Sequence, residues 1–262
     1  MTFTVDIHHH ILPDFFWRAT NEQHGPVGGI APAHWSPEGA ISFMDDAKID
    51  VAVTSISTPG VHLGDDTAAR NLARRCNEFS RFTPLFEELQ RRAAVVFIHP
   101  TASPDTAFHQ LGLPDSLLDF PVDTSRAIAN LHYSNTFART PAVKYIFSHA
   151  GGTIPYVATR FGIVDEMKAI DGAEERGTAA DTLRRLYWDT ALSWKDPVLQ
   201  MLRSVVGMGQ VLYGSDFPYL RRDLAVRSRV ELESTSALAD AERAGVLGTN
   251  ALRLLPRLSA LR

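Results

Sequence analysis

The 262-residue chain holds a single cysteine, Cys76, which excludes any disulfide within it and fits a reducing compartment. No window supplies an uncharged apolar span of the about 20 residues that a membrane helix needs. The start, MTFTVDIHHH, has no basic stretch followed by a long apolar one. Blocks of basic residues are missing as well: 26 Lys and Arg stand against 30 Asp and Glu, a formal net charge of −4 with His neutral. That balance gives neither nucleic acid nor an anionic membrane an electrostatic reason to bind. Repeats, low-complexity tracts and linkers are absent too, so nothing divides the chain. The expectation is a cytoplasmic protein with one domain over residues 1–262.

What is present is an alternation of strand-like and helix-like segments. Phe3 to Ile7, Val51 to Ile56, Ala93 to Ile98, Lys144 to Phe147, Leu183 to Trp188 and Val211 to Gly214 read as buried strands. Ser36-Pro37-Glu38 carries a cap, a first-turn proline and an early acid, which start a helix running to about Lys48. Asp65 to Phe79 is amphipathic, with Ala69, Leu72, Ala73, Cys76 and Phe79 on one face and Arg70, Arg74 and Arg75 on the other. Further helices are expected over Phe82 to Arg92, Asp123 to Leu131 with Asp123 or Thr124 as cap, Pro155 to Ile170, Pro197 to Val205, Ala237 to Ala244 and Thr249 to Leu255. Between the first strand and the first helix, His10 to Pro37 is a long loop carrying Phe15, Phe16, Trp17 and Trp35, of a length typical of lids and binding loops. The alternation calls for right-handed βαβ units on a parallel sheet. A closed (β/α)8 barrel takes eight strands in about 250 residues, and only these six are legible. The shortfall falls near residues 78–82, where two helices abut through Ser80-Arg81. Either the sheet is open or distorted, or a segment holding two strands is absent; the second is the reading adopted.

The strand ends carry the chemistry. In a strand, residues i and i+2 share a face, so His8 and His10 direct two imidazoles at one point. His99, His149 and Asp216 each close another strand-like run, and a ring of such ends describes one site at the carboxyl face of a parallel sheet. Three imidazoles and a carboxylate suit Zn2+ or Mn2+ better than Mg2+ or Cu+. Each residue also has a plainer reading. The His8-His9-His10 triplet resembles a tag, although Val5-Asp6-Ile7 before it and Ile11-Leu12-Pro13 behind it embed it in apolar sequence. His9 faces the other way and is expected to pack. His99 alone reads as a core histidine, His149 as either ligand or base, and Asp216 as a turn or cap residue that can also ligate and exchange a proton. Asp6 falls on the ligand face by parity, and Asp189 at its strand end reads as a cap. Arg160 suits a substrate carboxylate and equally a bare surface. Trp35, Trp188 and Phe217 form either an aromatic wall for substrate or ordinary packing.

Four motifs in order, Val5-Asp6-Ile7-His8-His9-His10-Ile11-Leu12-Pro13, Val96-Phe97-Ile98-His99-Pro100, Ser148-His149-Ala150-Gly151-Gly152-Thr153-Ile154-Pro155-Tyr156 and Leu212-Tyr213-Gly214-Ser215-Asp216-Phe217-Pro218-Tyr219, together resemble the amidohydrolase superfamily. The likeness is to the branch holding aminocarboxymuconate semialdehyde decarboxylase and the resorcylate and salicylate-type decarboxylases. Trp35-Ser36-Pro37 and Ser57-Thr58-Pro59-Gly60 look closest to its 6-methylsalicylate decarboxylase-like members. The resemblance implies a distorted (β/α)8 barrel, here without its third and fourth strands. It implies one divalent metal, Zn2+ first and Mn2+ second, on His8, His10, His99 and Asp216, with His149 beside it as a catalytic residue and no organic cofactor. Arg160 matches an arginine that reaches the substrate carboxylate of the neighbouring subunit, which implies a homodimer.

The function expected is non-oxidative decarboxylation of an aromatic or enol-like carboxylic acid of salicylate, resorcylate or muconate type. In that reading Asp216 serves as proton donor and His149 supports it. Two alternatives stay open: hydrolysis of a lactone, ester or amide by the same site, and a non-catalytic metal-binding role on the same scaffold.

Overall fold

The computed structural model describes residues 3–12, 16, 35–56, 89–101, 113–167 and 176–261. The helix expected over Asp65–Phe79, most of the one over Phe82–Arg92, the junction near residues 78–82, Ser57–Gly60 and most of the loop after His10 lie outside them. Among the described residues no helix is long and apolar enough to cross a membrane.

Six strands form, each close to where the apolar runs place it: β1 (Val5–His10), β2 (Val51–Ser55), β3 (Val95–Ile98), β4 (Lys144–Phe147), β5 (Tyr187–Asp189) and β6 (Val211–Leu212). All pair in parallel, β1 with β2 and β3 through β6 in sequence order. The two ladders join where β1 meets the segment after β6: Ile7 N donates to Tyr213 O at 3.0 Å, Asp216 N to His8 O at 2.9 Å and His10 N to Phe217 O at 2.8 Å. The resulting order is β2-β1-β6-β5-β4-β3. Its two outer edges, β2 and β3, flank the stretch of sequence that fell short by two strands. In β4, Tyr145, Ile146 and Phe147 are all buried, the continuous apolar run of a strand covered on both faces.

Helices cover the sheet. α1 (Pro37–Ala47) starts as expected, with Ser36 Oγ accepting from Gly39 N at 3.0 Å, and ends at Lys48 in the left-handed region. α2 (Asp115–Tyr133) starts eight residues before Asp123, so neither Asp123 nor Thr124 is its cap; Thr124 instead donates to Phe120 O within the helix. A short α3 (Thr136–Arg139) precedes β4, and α4 (Ile154–Glu166) follows it. The strand expected over Leu183 to Trp188 is only half strand. Residues up to Arg185 belong to α5 (Ala179–Arg185), because Thr178 caps it by accepting from Asp181 N at 3.1 Å and thereby turns Leu183 into a buried helix position. α6 (Asp196–Val205) buries Leu199 and Leu202 completely, each contributing about 1.5–3 kcal/mol of transfer free energy. Truncating either to alanine is expected to cost about 2–5 kcal/mol. α7 (Arg222–Ser234), which periodicity did not signal, lies on α1, where the Arg222 guanidinium pairs with Asp46 and donates to Ser42 O and Oγ. α8 (Asp240–Ala244), a π-turn over Gly245–Thr249 and α9 (Asn250–Leu254) close the chain against β1 and β6.

Candidate metal and active site

The carboxyl ends of β1, β3, β4 and β6 bring His8, His10, His99, His149 and Asp216 to one place. His8, His99, His149 and Asp216 each put one donor atom within 4.8 Å of the others. His10 joins through its Nε2, 2.9 Å from His8 Nε2 and 3.3 Å from Asp216 Oδ1. His8 Nε2 is 3.1 Å from that same Asp216 oxygen, and His149 Nε2 is 3.9 Å from Asp216 Oδ2. Of these residues only His99 is part-exposed.

The backbone is shaped around this cluster. His149 and Asp216 both have left-handed φ, 53° and 59°, a conformation that costs a residue with a side chain and that aims both inward. Gly214 lies so close to His8 that a Cβ would stand 2.7 Å from the His8 Cβ and 3.2 Å from Asp189 Cγ. Strand parity does not hold through β1, because its register with β2 shifts between Asp6 and His9. Asp6 therefore leaves the face shared by His8 and His10. Its carboxylate accepts from the backbone of His8 and Ser215 at 3.0 Å each and pairs with His9 Nδ1 at 3.2 Å. His9 packs as expected, between Phe43 and Phe217.

The hydrogen bonds decide what the imidazoles can offer. His8 Nδ1 lies 2.6 Å from Asp189 Oδ2, His99 Nδ1 lies 2.7 Å from Pro100 O, and His10 Nδ1 has Ser55 Oγ at 3.4 Å. A proton held at each Nδ1 leaves the three Nε2 lone pairs directed into the cluster, the arrangement of histidines that bind a metal with their outer nitrogen tied. His149 is buried with neither ring nitrogen hydrogen-bonded. A divalent cation fits this donor set: it satisfies lone pairs that otherwise face one another, and it matches the nitrogen-rich ligands of Zn2+ or Mn2+. Asp189 is the residue sequence reasoning undervalued. Read as a cap, it is fully buried, and its second oxygen accepts from the backbone of His149 at 2.8 Å and Ala191 at 2.9 Å, so one carboxylate fixes two site histidines. Its position at the end of β5 was the available signal.

Electrostatics follow from the same contacts. Burial opposes charge on His8, but Asp189 and Asp216 outweigh it and raise its pKa to about 10. Burial keeps His10 below the ordinary histidine value against the pull of Asp216, and it holds His99 well below, aided by the neighbouring histidines. Burial also disfavours the Asp216 carboxylate, yet the charge on His8, with the His10 and His149 imidazoles close by, holds it well below the usual carboxylate range.

The other expected site residues lie apart. Trp188 is fully buried with its ring against Gly151, where a Cβ would come within 2.1 Å of it; Phe217 stacks on Phe43 at 4.2 Å. Both rings make the packing contacts that were the plainer of their two readings. Trp35 is half-buried and packs on the same core. Arg160 is exposed on α4 and outside the cluster.

Comparison with known proteins agrees with this geometry. The sequence profile described as amidohydrolase matches residues 57–257. The chain belongs to the amidohydrolase family. Among its relatives is a 6-methylsalicylic acid decarboxylase of Aspergillus aculeatus, 30% identical over 317 residues that cover 97% of this chain and 96% of the relative. Another, of Penicillium expansum, is 28% identical over 98% of this chain and 97% of its own length. Among solved structures, 5-carboxyvanillate decarboxylase from Sphingomonas paucimobilis superposes with a TM-score of 0.80 at 17% identity, covering 98% of this chain and 99% of that one. A dihydroxybenzoic acid decarboxylase from Polaromonas with bound manganese gives 0.78 at 18% identity, covering 99% and 98%. The fold of this amidohydrolase is the distorted (β/α)8-type barrel of those structures.

Proposed function

We propose that this amidohydrolase is a metal-dependent, non-oxidative decarboxylase of a hydroxylated aromatic or enol-like carboxylic acid. The observation that carries the reading is the convergence of three Nδ1-tethered imidazoles and Asp216 on one point, in a chain aligned over almost its whole length with 6-methylsalicylic acid decarboxylases. His8, His10, His99 and Asp216 would hold the cation, with His149 beside it. Zn2+ is the first choice for so many imidazoles; the manganese in the Polaromonas relative supports Mn2+ as the second. When bound, the cation supplies charge stabilisation at the substrate oxygen next to the carboxylate.

The chain's own groups handle the proton. Asp216, ionised at rest, takes one as substrate binds, the neighbouring hydroxyl being the nearest source, and delivers it to the ring carbon that carries the carboxylate. His149, with its ring nitrogens unpartnered beside Asp216 Oδ2, steadies that transfer. The bond to the carboxylate then breaks, its electrons restore the ring, and CO2 leaves. Burial of the cluster keeps bulk water from the reacting groups.

Arg160 is read as serving the carboxylate in the neighbouring copy of a homodimer, a role that its exposure on α4 supports. The chain is read as one barrel domain that lacks residues near 78–82: the alignment with the Aspergillus relative runs over 317 positions, more than the 262 residues here, and β2 and β3 have no strand on their outer edges among the described residues. The test is a screen of 6-methylsalicylate, dihydroxybenzoates and muconates for CO2 release, with elemental analysis of the protein used. Stoichiometric Zn or Mn with CO2 evolution supports the reading. Ring-opening of lactones without CO2 assigns the site to hydrolysis instead.

A further inference from the structure

A second concave site lies at the opposite end of the sheet. It is a cavity of about 150 Å³ at the amino-terminal ends of β4 and β5. Three cations line it: Lys144, the first residue of β4, and Arg184 and Arg185, the last two residues of α5. Among the described residues no carboxylate lines it, and none of the three cations has an ion pair, in a chain whose formal charge is −4. Two of them are at a helix carboxyl end, where a cation is favoured in any case. That accounts for the arginines singly; it does not account for Lys144, nor for the convergence of all three on one hollow.

The floor narrows the chemistry. Tyr145 and Phe137 are buried beneath the cations. Thr140 donates its hydroxyl proton to Thr136 O at 2.7 Å, so the Tyr145 hydroxyl, 2.8 Å away, donates to Thr140 and has no proton left for a ligand. Recognition therefore rests on charge and on the guanidinium forks, which match the paired oxygens of phosphate and carboxylate.

We propose that this hollow is a binding site for a small, multiply charged oxyanion, separate from the histidine cluster. An occupant would bridge Lys144 at the start of β4 and the α5–β5 connection, clamping the two strands whose far ends lead to His149 and Asp189. Binding to the folded form alone raises stability by linkage.

The experiment titrates inorganic phosphate, and separately propane-1,2,3-tricarboxylate, into the metal-loaded protein while sodium chloride keeps ionic strength constant, following the unfolding temperature. The expected result is a saturable rise with at least one anion. The same rise is expected to need roughly tenfold or more anion in a Lys144→Gln, Arg184→Gln, Arg185→Gln triple variant. A response to both anions assigns the site to oxyanion charge; a response to one names phosphate or carboxylate as its class. The three positions are exposed, and the variant's unfolding temperature without anion checks its fold, with the single Arg184→Gln and Arg185→Gln proteins as reserves. Chloride acting as well as either anion, no saturable rise, a rise undiminished in these variants, or a rise abolished only by Asp216→Asn each overturns the proposal.

Discussion

Two buried histidines in this amidohydrolase, each paired with an aspartate, start from the same chemistry and end in opposite states. His8 meets Asp189 at 2.6 Å within the cluster, while His132 of α2 meets Asp165 of α4 at 3.2 Å. Burial lowers both histidines' affinity for a proton. At His8 two carboxylates, Asp189 and Asp216, overcome it. At His132 the single Asp165 is offset by Arg176 and Arg185, and the pKa stays lowered. Arg176 is itself buried, 3.5 Å from Asp165, with its guanidinium 5.0 Å from the Tyr133 ring. The second pair is thus a satisfied strut between two helices, its charge balanced within the protein. The first leaves negative charge and nitrogen lone pairs in excess, and a cation is what such an excess accommodates.

Substitutions at the two pairs test that contrast, beginning with the largest effect. Asp216→Asn, which on the proposed reading removes both a ligand oxygen and the proton carrier, is expected to lower kcat for CO2 release by about 10³-fold. A rate within a few-fold of the parent would break the contrast at its strong end. Asp189→Asn leaves the ligands in place but loosens His8 and the His149 backbone; metal affinity, read by competition with a chelator, is expected to fall by about 10–100-fold. At the other pair, Asp165→Asn removes the carboxylate that faces both His132 and Arg176 and should lower stability by about 1–3 kcal/mol in denaturant unfolding, with metal content unchanged. Loss of metal there would show the two pairs to be coupled.

The pH dependence sharpens the same contrast with a smaller effect. In metal-free protein His8, raised to about 10, stabilises the fold fully below its unfolded value of about 6.5 and loses that contribution as pH climbs through about 10. His10, His99 and His132 are lowered, so their neutral forms are favoured in the fold, and stability falls as pH drops below about 6.5. Unfolding temperatures of chelated protein should therefore decline on both sides. If His8 coordinates as the neutral ring, as proposed, metal-loaded protein should lose the alkaline decline and keep the acid one. Identical alkaline limbs with and without metal would remove His8 from the ligand set.

The strand ends were the legible part of this molecule. His8, His10, His99, His149 and Asp216 each close an apolar run, and an apolar run in an α/β chain is a buried strand whose end faces the site. The helix from Ser36 was equally plain, since its cap, proline and acid are local signals. Less legible were features set by contact between distant segments. Leu183 lies in a run that reads as strand, and only the cap at Thr178 makes it helical. The register shift in β1 turns Asp6 toward Ser215, more than 200 residues away, against its own parity. The contacts of Trp188 with Gly151 and of Phe217 with Phe43 are likewise set by segments distant along the chain.

By itself the amino-acid sequence determined the parallel α/β order, which residues close the strands and the family, because periodicity and short motifs are properties of neighbours along the chain. Tertiary structure alone decided which nitrogen each histidine presents, that Asp189 holds His8 while Asp6 holds His9, and that three cations meet in one hollow at the far end. Those outcomes depend on distances between segments up to about two hundred residues apart, and directional hydrogen bonds and local charge fields exist only once the backbone has brought them together.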